Sequence, residues 1–211
     1  MRVIGLTGGI ASGKSLVAEF LRGMDAVVID ADRLARDVVE PGTDPYRAIV
    51  DFFGQKVVKP DGTLDRKALG GIVFADPEAR KHLEKMTHPA IIKLAEKRLN
   101  EEHRKGTGVV FYMVPLLLEA GLASSVNEIW VVYTDENTQI DRLMKRDKIG
   151  RDEALRKVTA QMPMEEKIKF GQVIIDNSGT PEETRRQVME LWEKLKEEVR
   201  TEEQGASGKD A

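Results

Sequence analysis

Short apolar runs alternate with amphipathic stretches at both ends of the chain, and the block between them has few such runs. Val3-Ile4-Gly5-Leu6-Thr7, Ala26-Val27-Val28-Ile29-Asp30, Gly108 to Val114, Glu128 to Tyr133 and Val173-Ile174-Ile175-Asp176 read as strands covered on both faces, the pattern of a parallel sheet. After the first run, Leu16, Val17, Phe20 and Leu21 fall on one face of a helix. A helix through Leu34, Ala35 and Val38 stops at Pro41-Gly42, and another spans Asn137 to Arg146. Lys145 to Lys169 is charged and helical in pattern, with a break at Met162-Pro163. Thr180-Pro181-Glu182-Glu183 combines a capping box with proline at the first helical position and opens a helix to about Arg200. From 44 to 106 the periodicity is helical throughout: Tyr46 to Phe53, Asp65 to Phe74, Glu78 to Met86 and Ala90 to His103. Asp76-Pro77 and His88-Pro89 read as helix starts, where the missing proline N–H costs nothing. The expected fold is α/β, a parallel sheet flanked by helices (core 1–43 and 107–200) with a helical insertion at 44–106. The polar stretch 201–211 reads as a disordered tail.

Composition narrows the classes. A chain of 211 residues, 41% apolar and 33% charged, has room for one such domain with its insertion. A formal charge of −3 weighs against a nucleic-acid coat. The absence of cysteine excludes disulfides, zinc–thiolate centres and thiol nucleophiles. No run approaches the ~20 apolar residues of a membrane span, and the chain passes from Met1 directly into a strand. No membrane partner and a cytoplasmic location are therefore expected. The sequence leaves the oligomeric state open between a monomer and a weak homo-oligomer.

The most specific chemistry lies at Gly8-Gly9-Ile10-Ala11-Ser12-Gly13-Lys14-Ser15, which fits the phosphate-loop pattern between a strand and a helix. Glycine there lets the backbone close on an anion. The amides from Gly8 to Leu16 then converge on phosphate, helped by the positive end of the helix. Lys14 supplies a full charge for the β- and γ-phosphates, and the Ser15 hydroxyl suits one position on Mg²⁺.

Ligands of open parallel sheets sit at the carboxyl ends of the strands. That rule selects Asp30 to Asp32, Pro115 to Glu119, Thr134-Asp135 and Asp176-Asn177. Asp32 suits the carboxylate that orients an acceptor hydroxyl and takes its proton, and Asp30 suits organising Mg²⁺ through water; equally, one of them caps the next helix. Arg142 and Arg146 lie four apart on one helix face within a basic stretch, an arrangement that suits a lid closing over a transferring phosphate or a solvated charged face. His88 reads from its own surroundings as a helix-start or packing residue. Pro115 to Glu119 sets an apolar shelf beside one carboxylate. The guanine-reading Asn-Lys-x-Asp of a GTPase switch does not occur. The acidic strand end expected of a motor or helicase is replaced by Met113-Val114.

Together these segments resemble dephospho-CoA kinases over about residues 1 to 200. The resemblance rests on Gly5 to Ser15, Ile29-Asp30-Ala31-Asp32, Val39-Glu40-Pro41-Gly42, Asp61 to Arg66, His88-Pro89, Val114 to Glu119, Arg146-Asp147 and Ile175-Asp176-Asn177. It implies a P-loop NTPase core with a helical substrate-binding insertion (44–106) and a helical lid (about 145–165). It also implies ATP and Mg²⁺ as cofactors, with transfer of the γ-phosphoryl group to the ribose 3′-hydroxyl of dephospho-CoA; another small-molecule P-loop kinase is the alternative. By that resemblance Asp32 is the acidic residue beside the acceptor hydroxyl, Lys14 and Ser15 make the phosphate and metal contacts, and Thr7 and Arg142 lie near the phosphates, where the shared helix face would also bring Arg146. His88, Leu116 and Glu119 take CoA-side positions, and Asn177 approaches the adenine. Two positions depart from the family pattern: Ala11 where glycine is frequent, and Leu118 where phenylalanine is.

Overall fold

The computed structural model describes residues 1–207. Five strands, β1 (Arg2–Thr7), β2 (Val27–Asp30), β3 (Val109–Met113), β4 (Glu128–Tyr133) and β5 (Val173–Asp176), form one parallel sheet in the order β2-β3-β1-β4-β5. Leu6 pairs with Met113 on one side and with Trp130 on the other. Since β1 is flanked by strands from later in the chain on both sides, its carboxyl end is the topological switch point, where such sheets bind ligands.

The strands are apolar because helices cover both faces; every residue of β3 is buried. On one face Ile4, Leu6, Phe111, Trp130 and Val132 pack with Val17 and Leu21 of α1 (Lys14–Arg22) and with Val188, Trp192 and Leu195 of α9 (Pro181–Ser207). Phe111 sits edge-on to both Trp130 and Trp192, at 5.1 and 5.6 Å between ring centres, a favoured geometry for buried aromatics. Each indole N–H finds an acceptor, Trp130 on Glu128 Oε1 (2.7 Å) and Trp192 on Met24 O (3.2 Å). α9 continues past Arg200 to Ser207, so residues 201–207 are helical rather than part of a disordered tail; residues 208–211 lie outside those described. Arg2 holds this end of the helix by ion pairs to Glu198 (3.1 Å) and Glu202 (2.5 Å).

The chain divides into two compact units, Met1–Ile29 with the residues from Glu102 onward, and Asp30–Glu101. The second is helical: α2 (Ala31–Asp37), α3 (Asp44–Phe53), α4 (Arg66–Ala75) and most of α5 (Pro77–Arg104). It begins at Asp30 rather than 44 because Val38 and Val39 are buried in its own core, with Ile49, Phe53, Leu64 and Leu69. Thr43 and Asp65 cap α3 and α4, and Asp76 accepts from the Glu78 and Ala79 amides at the start of α5.

His88-Pro89 does not start a helix. α5 runs through it, although an interior proline removes one backbone bond and costs about 3 kcal/mol. Leu83 and Met86 before the proline and Ala90, Ile91 and Leu94 after it pack on one core, and that shared burial carries the helix across.

The charged stretch after β4 forms three pieces. α6 (Glu136–Asp147) ends at Lys148 in the left-handed region (φ 55), followed by α7 (Arg151–Thr159) and the short α8 (Met164–Lys167). Ile140 and Leu143 of α6 pack on Ala154 and Val158 of α7, with Ile10 and Ala11 against them.

Candidate functional site

β1 ends at Thr7, residues 8 to 13 form the loop, and α1 begins at Lys14. Gly13 is the N-cap with φ 97, and no side chain caps the helix. The first intrahelical bond runs from Val17 N–H to Gly13 O (3.2 Å), so the amides of Lys14 to Leu16 have no intrahelical acceptor and form the positive end that receives an anion. Close approach matters at three glycines, most of all at Gly8, whose Cβ would lie 2.5 Å from the backbone oxygen of Val132. A Cβ on Gly13 would overlap Asn177 Nδ2, and one on Gly9 would overlap Gln139 Nε2 and lie 2.9 Å from Met164 Sδ. Ala11 carries a Cβ at φ 58, a conformation costing about 1–2 kcal/mol for a non-glycine residue. The loop therefore accepts some strain at Ala11.

Lys14 Nζ lies over the loop, donating to Gly8 O (2.8 Å) and Gly9 O (2.7 Å). Ser15 is exposed at the start of the helix. Thr7, fully buried, donates from Oγ1 to Pro115 O (3.1 Å) and ties the end of β1 to the segment after β3.

Asn177, 2% exposed, takes a different place from the adenine contact expected of it. Its Nδ2 donates to Ser12 O (2.7 Å), its Oδ1 accepts from Thr184 Oγ1 (2.8 Å), and its carbonyl accepts from Arg142 Nη2 (2.8 Å). The side chain faces the loop, so Asn177 is a strut of the phosphate site. Arg142 is held through this strut, and its Nη1 is buried with no hydrogen-bond partner among the described residues. A buried guanidinium nitrogen without an acceptor is costly unless an anion completes it, so the residues fit a nucleotide phosphate. Ser12 Oγ and Thr134 Oγ1 are likewise buried without partners.

Arg146 does not join Arg142. Its Nε and Nη2 reach Asp147 Oδ1 (2.8 Å) and Oδ2 (3.2 Å) at the end of α6. This pairing raises the Arg146 pKa and lowers that of Asp147. Asp135 caps α6, accepting from Thr138 N–H (3.0 Å) and Thr138 Oγ1 (2.6 Å), and these bonds lower its pKa. Asp30 is the cap of α2: its Oδ1 accepts from Asp32 N (2.9 Å) and Arg33 N (3.4 Å). Asp32 stands in the first helical turn, exposed.

The family model for dephospho-CoA kinase matches residues 2–183. The chain belongs to the dephospho-CoA kinase family. It is 58% identical over 192 residues to the dephospho-CoA kinase of Geobacter metallireducens, covering 91% of this chain and 96% of the relative. The same enzyme of Geobacter sulfurreducens is 58% identical over 194 residues, covering 92% and 98%. Among solved structures, dephospho-CoA kinase from Campylobacter jejuni superposes with a TM-score of 0.70 at 28% identity, covering 92% of this chain and 98% of that one. A shikimate kinase from Bacteroides thetaiotaomicron, at 17% identity and a TM-score of 0.50, covers 92% and 98% and shares the fold. As a member of the dephospho-CoA kinase family the chain is a kinase, built on a P-loop core.

The positions that family resemblance assigns to the CoA side are spread over both units. His88 lies on α5, exposed, and Leu116 is 45% exposed after β3. Glu119 is engaged by the protein. Its oxygens accept from Lys167 Nζ at 2.6 and 2.8 Å and from Met162 N–H at 3.1 Å. Partial burial alone would raise the Glu119 pKa, but the Lys167 ammonium and the backbone bonds outweigh it and lower the pKa. Lys167 is fully buried, which only a paired lysine tolerates. Sequence reasoning missed it among the charges of its stretch. It also missed Gln139, Gln161, Met164 and Thr184, which brace the loop. The only local sign was Gln161-Met162-Pro163-Met164, a helix break richer in large side chains than a surface turn needs.

Proposed function

We propose that this chain transfers the γ-phosphoryl group of ATP to the ribose 3′-hydroxyl of dephospho-CoA, giving CoA and ADP as the final step of CoA synthesis. The observation that carries this reading is a phosphate loop braced by Asn177 beside an anion-ready Arg142, in a chain that matches the dephospho-CoA kinase model from 2 to 183.

The loop amides, Lys14 and Arg142 hold the triphosphate and neutralise charge that spreads over the transferred group. The Ser15 hydroxyl, exposed at the start of α1, would hold Mg²⁺, which would supply charge neutralisation to the phosphates when bound. Asp32 orients the acceptor hydroxyl and takes its proton late, when the bond to the leaving ADP has largely broken. Asp30 is occupied as a cap, and this favours Asp32 over its neighbour. His88, Leu116 and Glu119 are the candidates for the CoA side, the Glu119 carboxylate being held by Lys167 and the Met162 amide, and the lid is drawn from residues 145 to 165. No helix among the described residues is long and apolar enough to cross a membrane.

A coupled assay with dephospho-CoA, ATP and Mg²⁺ tests the reading. Turnover with dephospho-CoA far above that with nucleoside monophosphates or shikimate is expected, and the reverse preference overturns it. Asp32→Asn should retain ATP affinity and lose roughly a hundredfold or more in kcat, the usual worth of a positioned base. Near-unchanged turnover assigns the role to another carboxylate.

A further inference from the structure

The outer flank of the phosphate loop is gripped at one residue. Ile10 N–H donates to Gln161 Oε1 (2.8 Å), and Ile10 O accepts from Gln139 Nε2 (2.7 Å). The neighbouring Gly9 N–H points at Met164 Sδ (3.1 Å). The Ile10 side chain, with Ala11, packs against the α6–α7 core of Ile140, Leu143, Ala154 and Val158. Both polar groups of the Ile10 main chain are thus satisfied by side chains from elements 129 and 151 positions away. Buried or half-buried amides are expensive to leave unpaired, so this arrangement specifies where the loop sits.

The segment carrying Gln161 is itself fixed. Met162 N–H and Lys167 Nζ both donate to Glu119, and Lys167 has no exposure to water. A surface lid element needs neither a buried ion pair nor glutamines turned inward.

We propose that Gln161 is a positioning residue for phosphoryl transfer. With Gln139 it clamps Ile10 so that the amides from Gly13 to Leu16 are aimed at the triphosphate, while the Ser12 amide closes the loop on Gly9 O (3.2 Å), and the Glu119–Lys167 pair anchors the clamp. Residues 161–167 then belong to the fixed wall of the nucleotide site, and only the part of the lid before them is left to move. A misaimed loop binds phosphate less well, and small displacements at a reacting centre are amplified in rate.

This inference rests on the nucleotide-phosphate reading of the loop, so nucleotide affinity and turnover are measured separately on the full chain. In Gln161→Leu, KM and Kd for ATP should rise about tenfold, the equivalent of one hydrogen bond of ~1.4 kcal/mol. KM for dephospho-CoA should stay within about twofold, since no acceptor contact is removed. Hydrogen exchange of the Ile10 amide should accelerate in Gln161→Leu and return toward the wild-type rate in Gln161→Glu, which keeps an acceptor oxygen at the same reach. If Gln161→Leu does not fold, Gln161→Asn, one methylene too short to reach Ile10, reads the same bond. Lower thermal stability with unchanged ATP affinity and unchanged Ile10 exchange would reduce Gln161 to a structural residue and overturn the proposal. Wild-type protein that fails to bind ATP would instead overturn the reading of the loop itself.

Discussion

Replacing Gly13 by alanine tests whether the phosphate loop and the Asn177 strut are one device. The added Cβ would overlap Asn177 Nδ2 and come within 3.0 Å of Asn177 Cγ. The carboxamide must then leave its place, which breaks the bonds to Ser12 O (2.7 Å) and from Thr184 Oγ1 (2.8 Å). Both lie in buried surroundings, and stranding a buried polar group costs about 1–3 kcal/mol. The left-handed backbone at φ 97 adds about 1–2 kcal/mol for a residue with a Cβ. Taking one stranded group as the minimum and two as the maximum gives a loss of roughly 2–8 kcal/mol. That compares with ~5–15 kcal/mol for a whole domain. At about 2–4 °C per kcal/mol for a chain of this size, Tm should fall by at least ~4 °C. ATP affinity should fall as well, because the displaced carboxamide no longer braces the loop at Ser12 O. Thermal unfolding followed by circular dichroism, with calorimetric ATP titration below both transitions, reads both effects. The double variant Gly13→Ala with Asn177→Gly removes the overlap, so its loss should be smaller than the sum of the two single losses. A Gly13→Ala protein with Tm within ~1 °C of wild type, or strict additivity in the cycle, would refute the reasoning.

Three further outcomes are expected. Lys14→Ala should abolish measurable ATP binding in calorimetry under conditions where wild type titrates cleanly, and retained affinity would remove Lys14 from the phosphate site. In urea denaturation Glu119→Gln should destabilise more than Lys167→Met. The first strands an ammonium with no access to water, whereas the second leaves a carboxylate whose side chain is 23% exposed and can hydrate; the opposite order would argue against the pair as drawn. The Glu119 pKa is lowered in the folded protein, so its stabilisation is complete above the ordinary glutamate value of ~4.3 and is lost as pH falls through the folded value. Tm measured from pH 6 downward should therefore drop more gently in Glu119→Gln than in wild type, and parallel acid limbs would speak against this linkage.

Much of the molecule was legible from local pattern. The five apolar runs became the five strands because a strand buried on both faces leaves a continuous apolar signature. The phosphate loop was legible because its glycines answer close approaches, at Gly8 to Val132 O and at Gly13 to the buried Asn177 carboxamide. Spacing alone left open which of Asp30 and Asp32 caps the next helix; the hydrogen bonds at the start of α2 decide it, since the Asp30 side chain accepts the Asp32 and Arg33 amides. The shared helix face of Arg142 and Arg146 was also legible, but not their divergence. Arg142 reaches the carbonyl of a residue 35 positions on, while Arg146 finds a carboxylate next door.

By itself, then, the sequence determined the strands, the anion-binding loop and the family, because each is written in neighbouring residues and short periods. The tertiary structure alone decided that α5 runs through Pro89, that Asn177 faces the loop, that Lys167 is buried on Glu119, and that two distant glutamines hold Ile10. Those outcomes depend on which side chains packing brings within hydrogen-bond reach. The low dielectric of the interior makes such pairings obligatory once formed, and nothing in the local pattern encodes that proximity.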